Sequence, residues 1–262
     1  MPSTLQQPAA LTSSREEISR GIEALGDWFH NIDLGGVLTA PEHFLGDYPN
    51  LKWKHISNAF PQDLNGASVL DIGCNAGFYS LALKKRGAGR VLGIDVDERY
   101  LAQARFAAET MRLDIEFEKR SVYDVDSLPG QFDYVLLLGV FYHLRYPLLA
   151  LDRAVKKIAG KLVFQTMLRG SEKEFRPEPD YDFWDKPIFS DENFPRAYFI
   201  EKSFSNDYTN WFIPNRSGAE GMLRSSGLKI IDHPESETWV CVPQAAQRDG
   251  RYIVDMELDG TL

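Results

Sequence analysis

The hydrophobic positions of this chain change period in a regular order. Val69-Leu70-Asp71-Ile72 is a short apolar run rich in β-branched residues, and Phe78, Leu81 and Ala82 follow it at helical spacing. Between them lies Gly73-Cys74-Asn75-Ala76-Gly77, so the pattern predicts a strand, a tight turn and a helix start. The same alternation repeats downstream. Strands are predicted at Arg90–Asp95, Ile115–Arg120, Phe132–Leu138 and Lys161–Thr166. The helices between them carry apolar stripes at Leu101, Ala104, Ala108 and Met111 and at Leu148, Leu151, Val155 and Ile158. Phe132–Leu138 is almost wholly apolar, which marks a strand covered on both faces. A helix at Ser217–Ser226 and an antiparallel pair at Leu228–Asp232 and Thr238–Val242 complete the pattern. The predicted fold class is α/β, a Rossmann-like sheet of seven strands.

Two segments depart from this rhythm. Residues 14–60 hold a capped amphipathic helix with Ile18, Ile22 and Leu25, an extended glycine-broken stretch at Trp28–Thr39, a loop at Pro41–Asn50 and a helix at Leu51–Phe60. Too short for a domain, this part is expected to form a lid over the domain at 61–243. Residues 167–212 lack clean periodicity but are dense in prolines and aromatics; a loop of that length in a compact domain is usually functional. Most of these aromatics are expected to pack the insertion onto the sheet, and a few, Tyr208 and Trp211 among them, to line a substrate pocket. Residues 1–13, rich in Ser, Thr, Gln and Pro, are expected to be disordered. The tail 244–262 has room for one more strand at Tyr252–Glu257, without a place in the sheet.

Composition narrows the partners. The 262 residues suit one domain with appendages, and the net charge of −9 disfavours a nucleic-acid surface unless the bases are gathered locally. Only Lys84-Lys85-Arg86 and Lys156-Lys157 cluster, on predicted outer helix faces where solvation is the simpler explanation. No apolar run reaches the length of a membrane span and no secretory signal is visible, so a cytoplasmic location is expected. The two cysteines need not pair, and the five histidines show no ligand spacing, so no metal is expected.

The glycine turn after the first strand offers free N–H groups and the positive end of a helix dipole. Dinucleotide binders use a Gly-x-Gly-x-x-Gly turn, whose middle glycine admits a pyrophosphate. That glycine is absent here, Asn75 sits in the turn, and Asp71 would repel a pyrophosphate while suiting an ammonium group. About twenty residues on, Asp95 closes the second strand, where an acid takes ribose hydroxyls. Asp97 is a second ribose candidate, though a helix cap explains it better.

Asp71, Gly73, Asn75, Gly77 and Asp95, with Gly139–Leu148 after the fourth strand, resemble the S-adenosylmethionine (SAM) site of class I methyltransferases over about residues 50–240. The resemblance implies that Ser121 and Val122 face the adenine. Leu138 and Gly139 are assigned to cofactor packing and Tyr142 to the sulfonium or substrate side. Methyl transfer is an in-line displacement, and a general base adds to it when the nucleophile carries a proton. His143 is the preferred base, with an orienting hydrogen bond as the equal alternative; Arg145 from the same loop is assigned to substrate, and His30, Asn31 and Asp33 are candidates to complete the pocket.

A closer similarity joins Gly139–Leu148, Lys52-Trp53 and Asn210-Trp211-Phe212-Ile213-Pro214 to the tRNA wobble-uridine carboxymethyltransferase group and its methyltransferase-like relatives. It implies that Lys52, Gly73, Asp95 and Tyr142 contact the cofactor; a surface lysine beside Trp53 is the other reading of Lys52. In that group a lysine and an arginine hold the extra carboxylate of carboxy-SAM. Phe29 stands near the lysine's place and no arginine partner is evident, although Arg248 and Arg251 lie in the tail. Without those cations the added charge would be buried unpaired, so ordinary SAM is the expected donor. The leading expectation is methylation of an oxygen or nitrogen of a small molecule. A tRNA wobble-uridine (carboxy)methyltransferase is the first alternative, and a SAM-binding module without catalysis the second. The oligomeric state does not follow from the sequence.

Overall fold

Strand β4, Phe132–Leu138, runs through the centre of a seven-stranded sheet, and its residues explain why. Val135 and Leu137 enter one hydrophobic cluster with Phe164 and Trp239, whereas Leu136 and Leu138 enter a second with Trp28, Tyr79 and Val163. Alternate side chains thus feed two cores, as a strand covered by helices on both faces requires. In the computed structural model, which describes residues 14–244, β4 pairs in parallel with β1 (Val69–Ile72) and β5 (Ile158–Gln165). Outward from β1 follow β2 (Val91–Asp95) and β3 (Glu116–Lys119), both parallel. Beyond β5, β9 (Thr238–Pro243) pairs antiparallel with β5 and β8 (Leu228–Glu235) antiparallel with β9, so that β9 alone runs against the others, giving the order β3-β2-β1-β4-β5-β9-β8. The chain reverses direction across the sheet between β1 and β4, so the crevice at their carboxyl ends is where such sheets take ligands.

Helices α3 (Phe78–Lys85), α4 (Glu98–Thr110), α5 (Pro147–Val155) and α6 (Arg216–Ser225) connect or flank these strands. Before them come α1 (Arg15–Ala24) and α2 (Asn50–Ile56), the first opened by a capping box between Ser14 and Glu17. The N-terminal layer is fastened to α4: Gln103, fully buried, donates Nε2 to the carbonyls of Leu25 and Asp27 at 3.1 and 2.9 Å. Asp97 caps α4 by accepting from the Arg99 N–H at 2.9 Å, as its spacing suggests.

Three expectations are corrected. Ile158 opens β5 instead of closing the preceding helix, whose buried residues are Ala150, Leu151 and Ala154 while Leu148 is exposed. The apolar spacing continued past the helix end because β5 starts within three residues of it, at Ile158. Lys157 is not a solvated surface base: it is buried, and its ammonium donates to the carbonyls of Leu128 (2.5 Å) and Gly130 (3.3 Å), a long stem packed with its head satisfied. The insertion is not wholly irregular either. Its strand β6 (Ala197–Phe199) pairs antiparallel with β7 (Phe212–Pro214), a pairing too short to leave a period in the sequence. No helix among the described residues is long and apolar enough to cross a membrane. The expectations for residues 1–13 and for a strand at Tyr252–Glu257 lie outside the described residues.

Candidate active site

The turn after β1 is shaped by three residues at positive φ: Gly73 (71°), Asn75 (50°) and Gly77 (80°). Asn tolerates that region better than most side chains do, and at Gly73 a second constraint acts. A Cβ there would lie 2.3 Å from Val140 Cγ2, so the loops after β1 and β4 meet with no room for a side chain. Gly77 is the N-cap of α3 and contributes no side-chain cap, so amides of the first turn must find acceptors outside the helix.

Asp95 ends β2 beside this turn. Its Oδ2 accepts the Asn75 N–H and its Oδ1 the Asp97 N–H, both at 2.9 Å, and each oxygen keeps further acceptor capacity. Burial raises its pKa, against the opposing effect of these backbone donors. Asp71 lies deeper. It is 1% exposed, accepts from Ser80 Oγ at 2.7 Å, and burial pushes its pKa up to about 6. It therefore presents charge to the turn through the low-dielectric interior rather than from the surface. Val96, next to Asp95, is an apolar side chain left 63% exposed. With Arg120, Ser121 and Asp124 it borders an open depression of about 580 Å³ at the end of β3. Ser121 caps the following short helix through the Tyr123 N–H, and Val122 is buried in the core behind it.

On the other side of the crevice Gly139 has φ 72°, and a Cβ there would lie 3.5 Å from the Tyr142 hydroxyl, 3.7 Å from Gln165 Oε1 and 3.9 Å from the Tyr48 hydroxyl. These distances define a polar cluster that the sequence does not announce. Tyr48 and Tyr79 share a hydrogen bond, and burial raises the pKa of Tyr48, Tyr79 and Tyr142, which stay phenols. Gln165 Nε2 donates to Glu237 Oε2 at 3.2 Å. Lys52 reaches the same carboxylate at 2.9 Å and Glu235 at 3.2 Å; burial is the largest single effect and lowers its pKa, but the two acids together outweigh it and the net shift is upward. Lys52 is thus brought to the crevice, but as the cation of a three-residue ionic group. Glu235 and Glu237 flank the turn between the last two strands; in one dimension they read as turn residues, and only the antiparallel pairing carries them to the site.

The remaining candidates separate. His30 is buried, with its pKa lowered to about 3 by burial and by the nearby His43, and its Nδ1 accepts the Phe78 N–H at 3.4 Å. It serves the start of α3 as a neutral acceptor and is ringed by Phe29, Tyr48, Phe78 and Tyr79. Asn31 and Asp33 hold local turns, Asn31 through Asp47 and the Ala40 N–H, Asp33 through the Gly36 N–H. His143 lies beside Tyr142, ring centroids 4.3 Å apart, and bonds Thr209 through Nδ1. Arg145 stacks on Trp211 at 4.3 Å, and Tyr208 is 81% exposed. Among the described residues no group of three or more His, Cys, Asp or Glu is arranged to hold a metal ion.

A glycine-lined turn, an accepting carboxylate at the next strand end, an exposed apolar side chain beside it and a buried negative charge together fit a cationic nucleoside such as SAM. Comparison with known proteins agrees. Residues 69–162 match the model of a family described as methyltransferase domain. A tRNA U34 carboxymethyltransferase of Idiomarina loihiensis is 26% identical over 235 residues, 86% of this chain and 64% of the relative. One of Helicobacter pylori (strain 26695) is 33% identical over 188 residues, 70% of this chain and 63% of the relative. The chain therefore spans less than two thirds of the length of these curated relatives. Among solved structures, the N-terminal domain of EvdMO1, crystallised in the presence of SAH and D-fucose, superposes with a TM-score of 0.62 at 21% identity, covering 89% of this chain and 98% of that one. Sheet order, the methyltransferase domain matched over residues 69–162 and the relatives agree in making the chain similar to the class I SAM-dependent methyltransferases, and among them to the tRNA U34 carboxymethyltransferase group.

Proposed function

We propose that the crevice between the ends of β1, β2 and β4 binds SAM and that the chain transfers its methyl group to a tRNA uridine. When bound, SAM supplies an electrophilic methyl on a sulfonium centre. Asp95 accepts from the ribose hydroxyls, Val96 and the Ser121-Val122 segment border the adenine, and the buried charge of Asp71 favours the ammonium. Leu138 and Gly139 let the donor approach β4 closely, and the Tyr142 phenol hydrogen-bonds at the reacting end. His143 takes the proton of the nucleophile. Burial lowers its pKa while Asp207 opposes that effect, so it is a neutral base near pH 7.

The observation that carries this reading is the adjacency of the Gly73–Gly77 turn and Asp95, joined by the 2.9 Å bond from Asn75. The names of the relatives favour a tRNA wobble uridine over the small-molecule acceptor that the sequence put first. Tyr208, Phe183 and Trp184, all strongly exposed, offer faces on which unpaired bases stack. Lys52 is already shared by two glutamates, which supports SAM rather than carboxy-SAM as donor.

A second reading keeps the donor and changes the acceptor to a small molecule. The net charge of −9 favours it, as does the run 172–192, where Glu172, Glu174, Glu178, Asp180, Asp182, Asp185, Asp191 and Glu192 outnumber Lys173, Arg176 and Lys186. The D-fucose that accompanies SAH in the EvdMO1 crystals points the same way. Incubation with SAM and bulk tRNA, read as SAH release and as the mass gain of one methyl group on a nucleoside, separates the two. Salt-sensitive tRNA binding with a methylated uridine is the expected result. Methylation of a sugar or other metabolite, with tRNA untouched, would establish the second reading.

A further inference from the structure

The insertion contributes a group of side chains that donor binding does not require. Its turn at residues 204–207 has Ser205 and Asn206 at positive φ (55° and 61°) and closes through reciprocal backbone bonds between Phe204 and Asp207, each 3.0 Å. Asn210 donates Nδ2 to both carbonyls of that turn, and the Trp211 N–H donates to the Tyr142 carbonyl at 2.8 Å. The turn is thereby pinned to the segment that carries His143. Thr209 Oγ1 lies 2.6 Å from Asp207 Oδ1 and 2.8 Å from His143 Nδ1, while Asp207 Oδ2 is 3.8 Å from that nitrogen.

Counting donors assigns the protons in this relay. An ionised carboxylate has none, and a threonine hydroxyl has one. At 2.6 Å from a carboxylate oxygen, the hydroxyl proton must point at Asp207, since two oxygens at that distance without a proton between them would repel. The hydroxyl oxygen can then only accept, so the proton in the 2.8 Å contact belongs to Nδ1. A neutral imidazole with Nδ1–H carries its lone pair on Nε2, which has no hydrogen-bond partner among the described residues, and the side chain is 32% exposed.

We propose that Asp207, acting through the Thr209 hydroxyl, is a positioning residue that holds His143 as the Nδ1–H tautomer and leaves Nε2 free to accept the proton of the methyl acceptor. This rests on His143 as the base in the proposed function. As the nucleophile's lone pair forms the bond to the methyl carbon, the C–S pair leaves with sulfur and the O–H or N–H proton moves to Nε2. The resulting imidazolium is stabilised through Thr209 by the Asp207 charge, and the proton then passes to solvent. Asp207 Oδ1 also accepts the Thr209 N–H at 2.7 Å, so an asparagine would keep its oxygen there and preserve the relay; Asp207→Ala removes the acceptor and frees the hydroxyl to donate to Nδ1, which selects Nε2–H.

The test is two-bond ¹H–¹⁵N correlation on the full chain labelled with ¹⁵N-histidine, at a pH where imidazole is neutral, with the His143 signals assigned by their loss in His143→Gln. The wild type and Thr209→Ser are expected to show Nδ1–H. Thr209→Val and Asp207→Ala should move to Nε2–H or a mixture. With bulk tRNA as acceptor, SAH formation in Thr209→Val should fall about a hundredfold in kcat, with the KM for SAM unchanged and Thr209→Ser restoring the rate. A wild-type Nε2–H tautomer, or one tautomer shared by all four proteins, would overturn the proposal. Transfer that survives His143→Gln would remove the base, and with it the reading beneath this inference, while the tautomer assignment stood on its own spectrum.

Discussion

The two sides of the crevice are built from different material. On the β1–β2 side the working groups come from a nearly continuous stretch, residues 71–97, and most are backbone amides, glycines and carboxylates. On the β4–β5 side Tyr48, Lys52, Tyr142, Gln165, Asp207 and Glu237 converge from separate segments, and all act through side chains. In the proposed function the first side binds a part of the donor that never changes during reaction. The second must suit one acceptor, and side chains on loops are where such fitting occurs. Substitutions on the first side should therefore lose affinity for SAM, and those on the second should lose turnover.

The largest effect expected is at Asp95. Asp95→Ala should weaken SAM binding by about a hundredfold or more by calorimetry, the loss of two hydrogen bonds to a charged acceptor, with circular dichroism unchanged. Retained affinity would erase the contrast between the two sides. His143→Ala should do the reverse, lowering kcat by about a hundredfold while SAM affinity holds. A parallel loss of affinity would mean that His143 belongs to the donor side.

Asp71 sharpens the comparison through pH. Its folded pKa of about 6 lies above the ordinary 3.8, so its contribution to the stability of the ligand-free protein is complete below pH 3.8 and is lost as pH rises through about 6. The corresponding free energy is about 3 kcal/mol. Relative to the wild type, Asp71→Asn should gain up to that amount between acid and neutral pH in denaturant unfolding, with no pH-dependent gain if Asp71 titrates normally. SAM affinity of the wild type should also fall as pH drops through about 6, because a protonated Asp71 no longer attracts an ammonium. The smallest effect belongs to Lys52. Lys52→Met should cost less than about tenfold in SAM affinity, since the lysine is held by Glu235 and Glu237 and is partly solvated; a larger loss would make it a direct donor contact.

The same contrast explains what was legible in one dimension. β4 and the Gly73–Gly77 turn could be read because apolar runs and turn chemistry act over a few neighbours, and Asp95 followed from its place at a strand end. The mostly parallel α/β character of the sheet followed from the alternation of strands and helices, whereas the strand order came only with the structure. Glu237 could not be found, since its role depends on β8 and β9 folding back beside β5. Asp207 and Thr209 were hidden in a segment without period, and their meeting with His143 depends on a turn whose two left-handed residues, Ser205 and Asn206, are not glycines. His30 looked like a pocket residue because sequence cannot show that a backbone amide of α3 needs an acceptor there. Lys157 read as surface for a similar reason: the carbonyls that receive it, at Leu128 and Gly130, lie in another loop.

The most direct measurement is a crystal structure of the chain with SAH. The account predicts the ribose hydroxyls within hydrogen-bond distance of the Asp95 carboxylate, the amino group against the Gly73–Gly77 turn above Asp71, and the sulfur facing Tyr142. Ribose density elsewhere on the sheet, or a pyrophosphate-bearing ligand preferred in that turn over SAH, would contradict it.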